Sequence, residues 1–309
     1  MEPSRRDDAE IVILDGGLSN ALRDRGLVLG DDLWTARLLR DDPEAIIDVH
    51  CSYFLAGADV ATTASYQASV DGFVRHGMDA AAAGALIARS VELACEARDR
   101  VADEVAAEPL GAGGARRLLV AASVGPYGAV LHDGSEYRGR YGLSSAELRD
   151  FHGPRLDLLA AAGPDLFAVE TIPDADEAEA LVPLLDDIGI PALFSYSVRD
   201  GHTCAGQRLA DAYGVLAGST SIVAAGANCS APAEIEAALV AAAAATGRPG
   251  VAYPNRGGTW DATTGDWHEH GASMEELVPA WLAAGARWIG GCCEVGPDEI
   301  RTLARLLRA

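Results

Sequence analysis

The chain has 309 residues, with 24 basic against 46 acidic side chains and a formal charge of -22. All 24 basic residues are arginine, which excludes a Schiff-base aldolase, a pyridoxal-phosphate lysine and a P-loop lysine. The acidity argues against nucleic acid and anionic membranes as partners, because both demand clustered positive charge, and it reads as a solvated surface. Residues 1–10 are charged and lead into no apolar signal core, and no apolar run reaches the ~18 residues of a membrane span. The sequence therefore predicts a cytoplasmic protein. Its six cysteines, 51, 95, 204, 229, 292 and 293, are then reduced thiols or metal ligands rather than a disulfide framework.

In chain order, short apolar runs predict strands at Ile11–Asp15, Asp59–Ser65, Leu118–Val124, Leu166–Glu170, Ala192–Val198, Ile222–Asn228, Gly250–Pro254 and Arg287–Cys292. Between them, alanine-rich patterns predict helices at Pro43–Ala56, Asp79–Ala106, Ser145–Ala162, Ala175–Ile188, Ala233–Thr246 and Ser273–Ala284. A last helix, Pro297–Arg308, opens on proline with Glu299 in its first turn, a sound start signal. Eight runs alternating with helices predict parallel βαβ units. The count suits a single (β/α)8 barrel of the TIM type over residues 1–309. The dinucleotide fingerprint is absent, since the first run leads into Asp15-Gly16-Gly17-Leu18. Glu108–Arg117 reads as a surface loop, and Tyr127–Tyr141 as a long loop after the third strand.

In such a barrel the residues just past each strand's C-terminal end share one mouth. Cys229 falls at the sixth strand end, and Cys292 and Cys293 at the eighth, behind two glycines. Adjacent thiols on a tight turn do not readily pair with each other, yet both can ligate one metal. A third thiolate would complete an S3 set that leaves the fourth position open, as in catalytic zinc sites. The pattern is also compatible with three small buried apolar side chains. Cys51 and Cys95 fall on helical patterns as packing residues. His268 and His270, with Glu269 between them, lie in a polar loop and read as surface groups.

Several motifs together resemble the homocysteine S-methyltransferase family. They are Leu14-Asp15-Gly16-Gly17-Leu18, Thr63-Ala64-Ser65-Tyr66-Gln67-Ala68, Ser123-Val124-Gly125-Pro126-Tyr127-Gly128 and Asp133-Gly134-Ser135-Glu136-Tyr137-Arg138-Gly139. Later come Glu170-Thr171-Ile172-Pro173, Asn228-Cys229, Tyr253-Pro254-Asn255 and Gly290-Gly291-Cys292-Cys293. The order spans nearly the whole chain, and the Gly-Ser-Glu-Tyr-Arg-Gly loop is most similar to the members that use S-methylmethionine. The resemblance implies a zinc ion at the barrel mouth on Cys229, Cys292 and Cys293, with Asn255 as a weak fourth ligand when substrate is absent. It implies methyl transfer from a sulfonium donor, S-methylmethionine or secondarily S-adenosylmethionine, to homocysteine.

The remaining motif residues take roles from that chemistry. Asp15 and Glu170 would hold the acceptor's ammonium. Gly16 and Gly17 N–H groups, with Thr63 or Gln67, would take its carboxylate. Tyr127, Glu136, Tyr137 and Arg138 would surround the donor. A selenium acceptor is an alternative substrate, and a zinc-binding or redox-sensing thiol protein without transferase activity is an alternative function. A homo-oligomer is compatible with the sequence. One departure stands out: the family's usual Arg-Thr after the cysteine pair is Glu294-Val295 here.

Overall fold

Residues 10–29, 34–107, 116–257, 259–261, 266–268 and 273–308 are described by the computed structural model. The eight apolar runs form parallel strands β1 (Val12–Ile13), β2 (Val60–Thr62), β3 (Leu119–Val124), β4 (Leu166–Ile172), β5 (Ala192–Tyr196), β6 (Ile222–Asn228), β7 (Gly250–Tyr253) and β8 (Ala286–Ile289). They pair in the order β1-β8-β7-β6-β5-β4-β3-β2. A lone parallel bridge between Leu14 and Val60 brings the two ends together. The architecture is the (β/α)8 barrel that the alternation predicts.

The helices are α1 (Leu18–Asp24), α2 (Trp34–Asp41), α3 (Pro43–Ala56), α4 (Val70–Arg75), α5 (Ala80–Ala107), α6 (Ser145–Ala161), α7 (Ala175–Ile188), α8 (Leu209–Gly214), α9 (Pro232–Thr246), α10 (Met274–Ala283) and α11 (Pro297–Arg308). Their ends follow local chemistry. Ser144 with Glu147 and Ser273 with Glu276 form capping boxes on α6 and α10, each satisfying two orphan backbone donors. Asp42 caps α3 ahead of Pro43, and Gly57 ends it in the left-handed region at φ +115°. Among the described residues no helix is long and apolar enough to cross a membrane.

Side chains alternate across each strand. Val12, Leu14, Val60, Leu119, Leu166, Leu193, Val251 and Tyr253 fill the barrel's interior. Residues such as Ile13, Val120, Phe167, Phe194 and Ile289 point outward into the layer shared with the helices. Cys51 and Cys95 lie half-buried against that outer layer, on α3 and α5, as their helical pattern predicts.

Several boundaries differ from the sequence-based expectation. β1, β2 and β8 stop before the predicted Asp15, Ser65 and Cys292, because their last residues leave the ladder to build the mouth. β4 runs two residues past Glu170. The short helices α1, α2, α4 and α8 and a hairpin, Val198–Arg199 with His202–Thr203, were not predicted; each is shorter than the ~11–18-residue window over which a period is read. Most of the predicted loop Glu108–Arg117, with Glu269 and His270, lies outside the described residues.

Candidate active site

Three sulfurs meet at the C-terminal mouth. Cys229 Sγ lies 3.6 Å from Cys293 Sγ, and Cys292 Sγ lies 4.0 Å from it. All three fall within 4.8 Å of one another. A tetrahedral ion with metal–sulfur bonds of about 2.3 Å needs sulfurs about 3.8 Å apart. The trio therefore fits one soft dication with little movement, and three thiolates leave a fourth position for a further ligand.

The strand ends explain why residues distant in sequence converge. β7 sits between β6 and β8, and its exit laces the two cysteine-bearing turns together. Cys229 N donates to Tyr253 O at 3.1 Å, Cys292 N to Pro254 O at 2.6 Å and Arg256 N to Cys293 O at 2.9 Å. Gly290 lets β8 press against β1: a Cβ there would stand 2.6 Å from Leu14 Cβ and 2.8 Å from Asp15 O. Cys229 itself has φ +46°, and Glu294 has φ +62°. Without a cation the thiols share protons unequally. Cys293 is held well below the usual thiol range by the S–H groups of Cys229 and Cys292. Cys292 is pushed well above it by its bonds to Cys229 and Cys293 and by burial.

A cavity of about 250 Å³ opens beside the sulfurs. The trio, Gly16, Gly17, Thr63, Gln67, Glu136, Tyr137 and Glu170 all border it. No arginine or histidine is among its described lining residues. Glu170 accepts a short hydrogen bond from Ser123 Oγ and a longer one, 3.4 Å, from Asn228 Nδ2. Burial lifts its carboxyl to about 8, helped by the nearby charges of Asp15 and Cys229. Gln67 Oε1 and Glu136 Oε2 are buried there without a protein donor. Burial also raises the Glu136 carboxyl. Tyr137 Oη stands 3.4 Å from Cys229 Sγ.

Other expected site groups already have partners within the protein or lie off the cavity. Asp15 is buried behind the wall, taking Thr62 N at 2.6 Å, Thr62 Oγ1 at 2.9 Å and Tyr253 Oη at 2.8 Å. Burial raises its carboxyl to about 7. Gly17 N–H is already given to Val295 O at 2.9 Å. Asn255 Oδ1 accepts Gly257 N at 3.1 Å and does not border the cavity. The Tyr127 ring packs on Tyr141 and Phe151, centroids 5.3 and 5.0 Å away. Arg138 is exposed and pairs with Asp133 at 3.5 Å.

Sequence reasoning assigned no role to Thr62, Ser123, Asn228, Tyr253 or Asn20, although the first four stand at the strand ends and three of them within the motifs. The first four occupy inward positions at strand ends, so strand alternation carried to the mouth would have found them. Asn20 had no such signal. It borders the cavity and donates a short hydrogen bond to Glu294. Glu294 also pairs with Arg23 at 2.8 Å, so the carboxylate that replaces the family's arginine meets an arginine from α1.

The family model for homocysteine S-methyltransferases matches residues 12–307. The chain belongs to the homocysteine S-methyltransferase family. The homocysteine S-methyltransferase of Escherichia coli strain K12 is 46% identical over 302 residues, covering 96% of this chain and 95% of that one. A selenocysteine Se-methyltransferase of Brassica oleracea is 38% identical over 320 residues, covering 99% and 92%. The crystal structure of the Escherichia coli homocysteine methyltransferase MmuM in its metallated form superposes with a TM-score of 0.85 at 43% identity, covering 96% of each chain. As a homocysteine S-methyltransferase by family, the chain is an enzyme, and the metallated relative accords with a metal at the cysteine trio.

Proposed function

We propose that this chain acts as a zinc-dependent homocysteine S-methyltransferase, taking its methyl group from a small sulfonium, S-methylmethionine, and forming methionine. The supporting observation is the sulfur triangle of Cys229, Cys292 and Cys293 facing a cavity bordered by Glu136 and Glu170 and, among the described residues, by no arginine or histidine. Cys229, Cys292 and Cys293 would hold the zinc ion, which would supply an open position for the acceptor's sulfur and a lowered thiol pKa. The chain's own residues orient the two substrates. Glu170, raised to about 8, returns to the carboxylate when an ammonium arrives, because an opposite charge favours the ionised form. The Gln67 amide offers donors to the acceptor's carboxylate, whereas Thr63 spends its hydroxyl proton on Ser65 Oγ and its N–H on Ala121 O.

On the donor side, Glu136 and the Tyr137 ring suit a sulfonium by charge and by cation–π attraction. The acceptor sulfur forms a bond to the methyl carbon as the bond to the donor sulfur breaks. The electron pair stays on the donor sulfur, which leaves as a neutral thioether, so no general acid is needed. A selenol acceptor fits the same triangle, in keeping with the Brassica relative's name. Residues 1–309 are read as one barrel domain working in the cytoplasm.

The test is zinc content together with methionine formation from homocysteine, comparing S-methylmethionine, S-adenosylmethionine and betaine as donors. S-methylmethionine should be fastest. Cys229→Ala should lose bound zinc and reduce turnover by about three orders of magnitude or more. Retention of both by that variant overturns the proposal.

A further inference from the structure

The loop 127–141, which carries Glu136 and Tyr137 to the cavity, is held at both ends by one turn of one helix. At its start, Tyr127 N donates to Glu177 Oε1 at 2.6 Å. At its far end, Arg140 N donates to Asp174 Oδ2 at 2.8 Å. Asp174 is the N-cap of α7 and Glu177 lies in its first turn. We infer that Asp174 and Glu177 are positioning residues that set the donor half of the site by fixing where this loop presents Glu136 and Tyr137. The inference rests on the sulfonium-donor reading above.

Helix capping alone does not account for either carboxylate. Asp174 caps α7 with Oδ1, which accepts Asp176 N at 3.1 Å, and commits its other oxygen to the loop. First-turn acids usually stay in solvent beside the helix dipole, but Glu177 is wholly buried. Its Oε1 also bonds His152 Nε2 at 2.9 Å, tying α6, the helix that follows the loop, to the same point. A buried carboxylate held this way is expensive to keep unless its geometry is used.

The loop transmits these anchor positions to the cavity by contact. A Cβ on Gly128 would stand 2.5 Å from Glu136 N, so the residue after Tyr127 presses on the backbone of Glu136. At the other end, Gly139 and Arg140 are both left-handed, at φ +64° and +54°. A Cβ on Gly139 would stand 2.9 Å from Asp174 Cβ. Non-glycine residues keep that conformation only when their surroundings impose it. Here Asp174 takes the Arg140 N–H and Ala205 O takes its Nε at 2.8 Å.

The experiment uses the full-length chain as purified, with Glu177→Leu and Asp174→Asn made separately. Amide hydrogen exchange is read for peptides covering 127–141 and for peptides covering 226–231 at the cysteine end of β6. Steady-state kinetics are read for S-methylmethionine and homocysteine independently. Each variant should exchange its loop amides about tenfold faster or more, with the β6 peptides unchanged. The donor's KM should rise about tenfold while the acceptor's stays within about twofold. Unchanged loop exchange in both variants, or donor and acceptor KM rising together, overturns the inference. If Glu177→Leu does not fold, Asp174→Asn decides, because its lost contact lies at the opposite end of the loop. A wild-type chain that uses no sulfonium would overturn the proposed function instead, and the exchange measurement would still decide whether the two carboxylates hold the loop.

Discussion

His50 lies wholly inside α3, and neither ring nitrogen meets a protein donor or acceptor. Burial lowers its pKa from 6.5 to about 4. The unfolded chain therefore takes up a proton near pH 6.5 that the folded chain refuses until about pH 4. Stability present above pH 6.5 is lost as pH falls through this window, by about 3 kcal/mol in all. Asp15 works in the opposite sense. Its carboxyl is raised to about 7, so its contribution falls as pH rises from about 4 to about 7. Comparing wild type with His50→Leu separates the two. The variant should match or exceed wild-type stability at pH 7, because no hydrogen bond is lost, and should resist acid better between pH 6.5 and 4. Urea midpoints across that range check it; equal acid sensitivity in the two proteins would exclude His50 as the cause.

At the scale of an element, the exit of β7 does the assembling. Its Tyr253-Pro254-Asn255 segment supplies carbonyls that fix the cysteine turns on both sides, while Gly290 lets β8 close on β1. Gly290→Ala should push the end of β8 off Leu14 and Asp15 and carry Cys292 and Cys293 with it. The expected result is a loss of about 1–3 kcal/mol of stability and at least a tenfold fall in metal affinity, measured by competition with a chelator. Unchanged affinity would show that the turn adapts. The glycine pair, the cysteines and the Tyr-Pro-Asn run were all legible as motifs. What they do was not, because a backbone hydrogen bond from one turn to the next strand leaves no side-chain signature. The two ends of the long loop were opaque for the same reason: Tyr127 was expected to face the donor, yet its ring packs on Tyr141 and Phe151 and its N–H goes to Glu177. The carboxylates that hold the loop look, in sequence, like ordinary helix starts.

At the scale of the whole molecule, the barrel closes at its weakest seam. Between β1 and β2 the ladder shrinks to one bridge, and a side chain stands in for the missing pairs. Asp59 Oδ2 accepts Ile13 N at 2.9 Å, while its Oδ1 meets Arg116 Nε at 3.3 Å and Arg308 NH2 at 2.7 Å. Arg308 ends α11, so the last helix is pinned to the seam. Asp59→Ala should cost about 3–5 kcal/mol, because it strips the carboxylate from a buried arginine and an N–H from its acceptor. A melting temperature within a degree or two of wild type would refute that role. The fold class was legible from eight apolar runs alternating with helices. The seam was not, since Asp59 reads in sequence as the first residue of a strand.

Three non-glycine residues at the mouth, Thr171, Cys229 and Glu294, adopt φ of +60°, +46° and +62°. They sit at the ends of β4, β6 and β8, every second stave of the barrel. Each such kink costs roughly 1–2 kcal/mol relative to an unstrained backbone. A protein shaped only for thermal endurance would carry glycine at all three. This one keeps a hydroxyl, a thiol and a carboxylate there, so its rim is held under tension where the side chains outweigh the repose of the main chain.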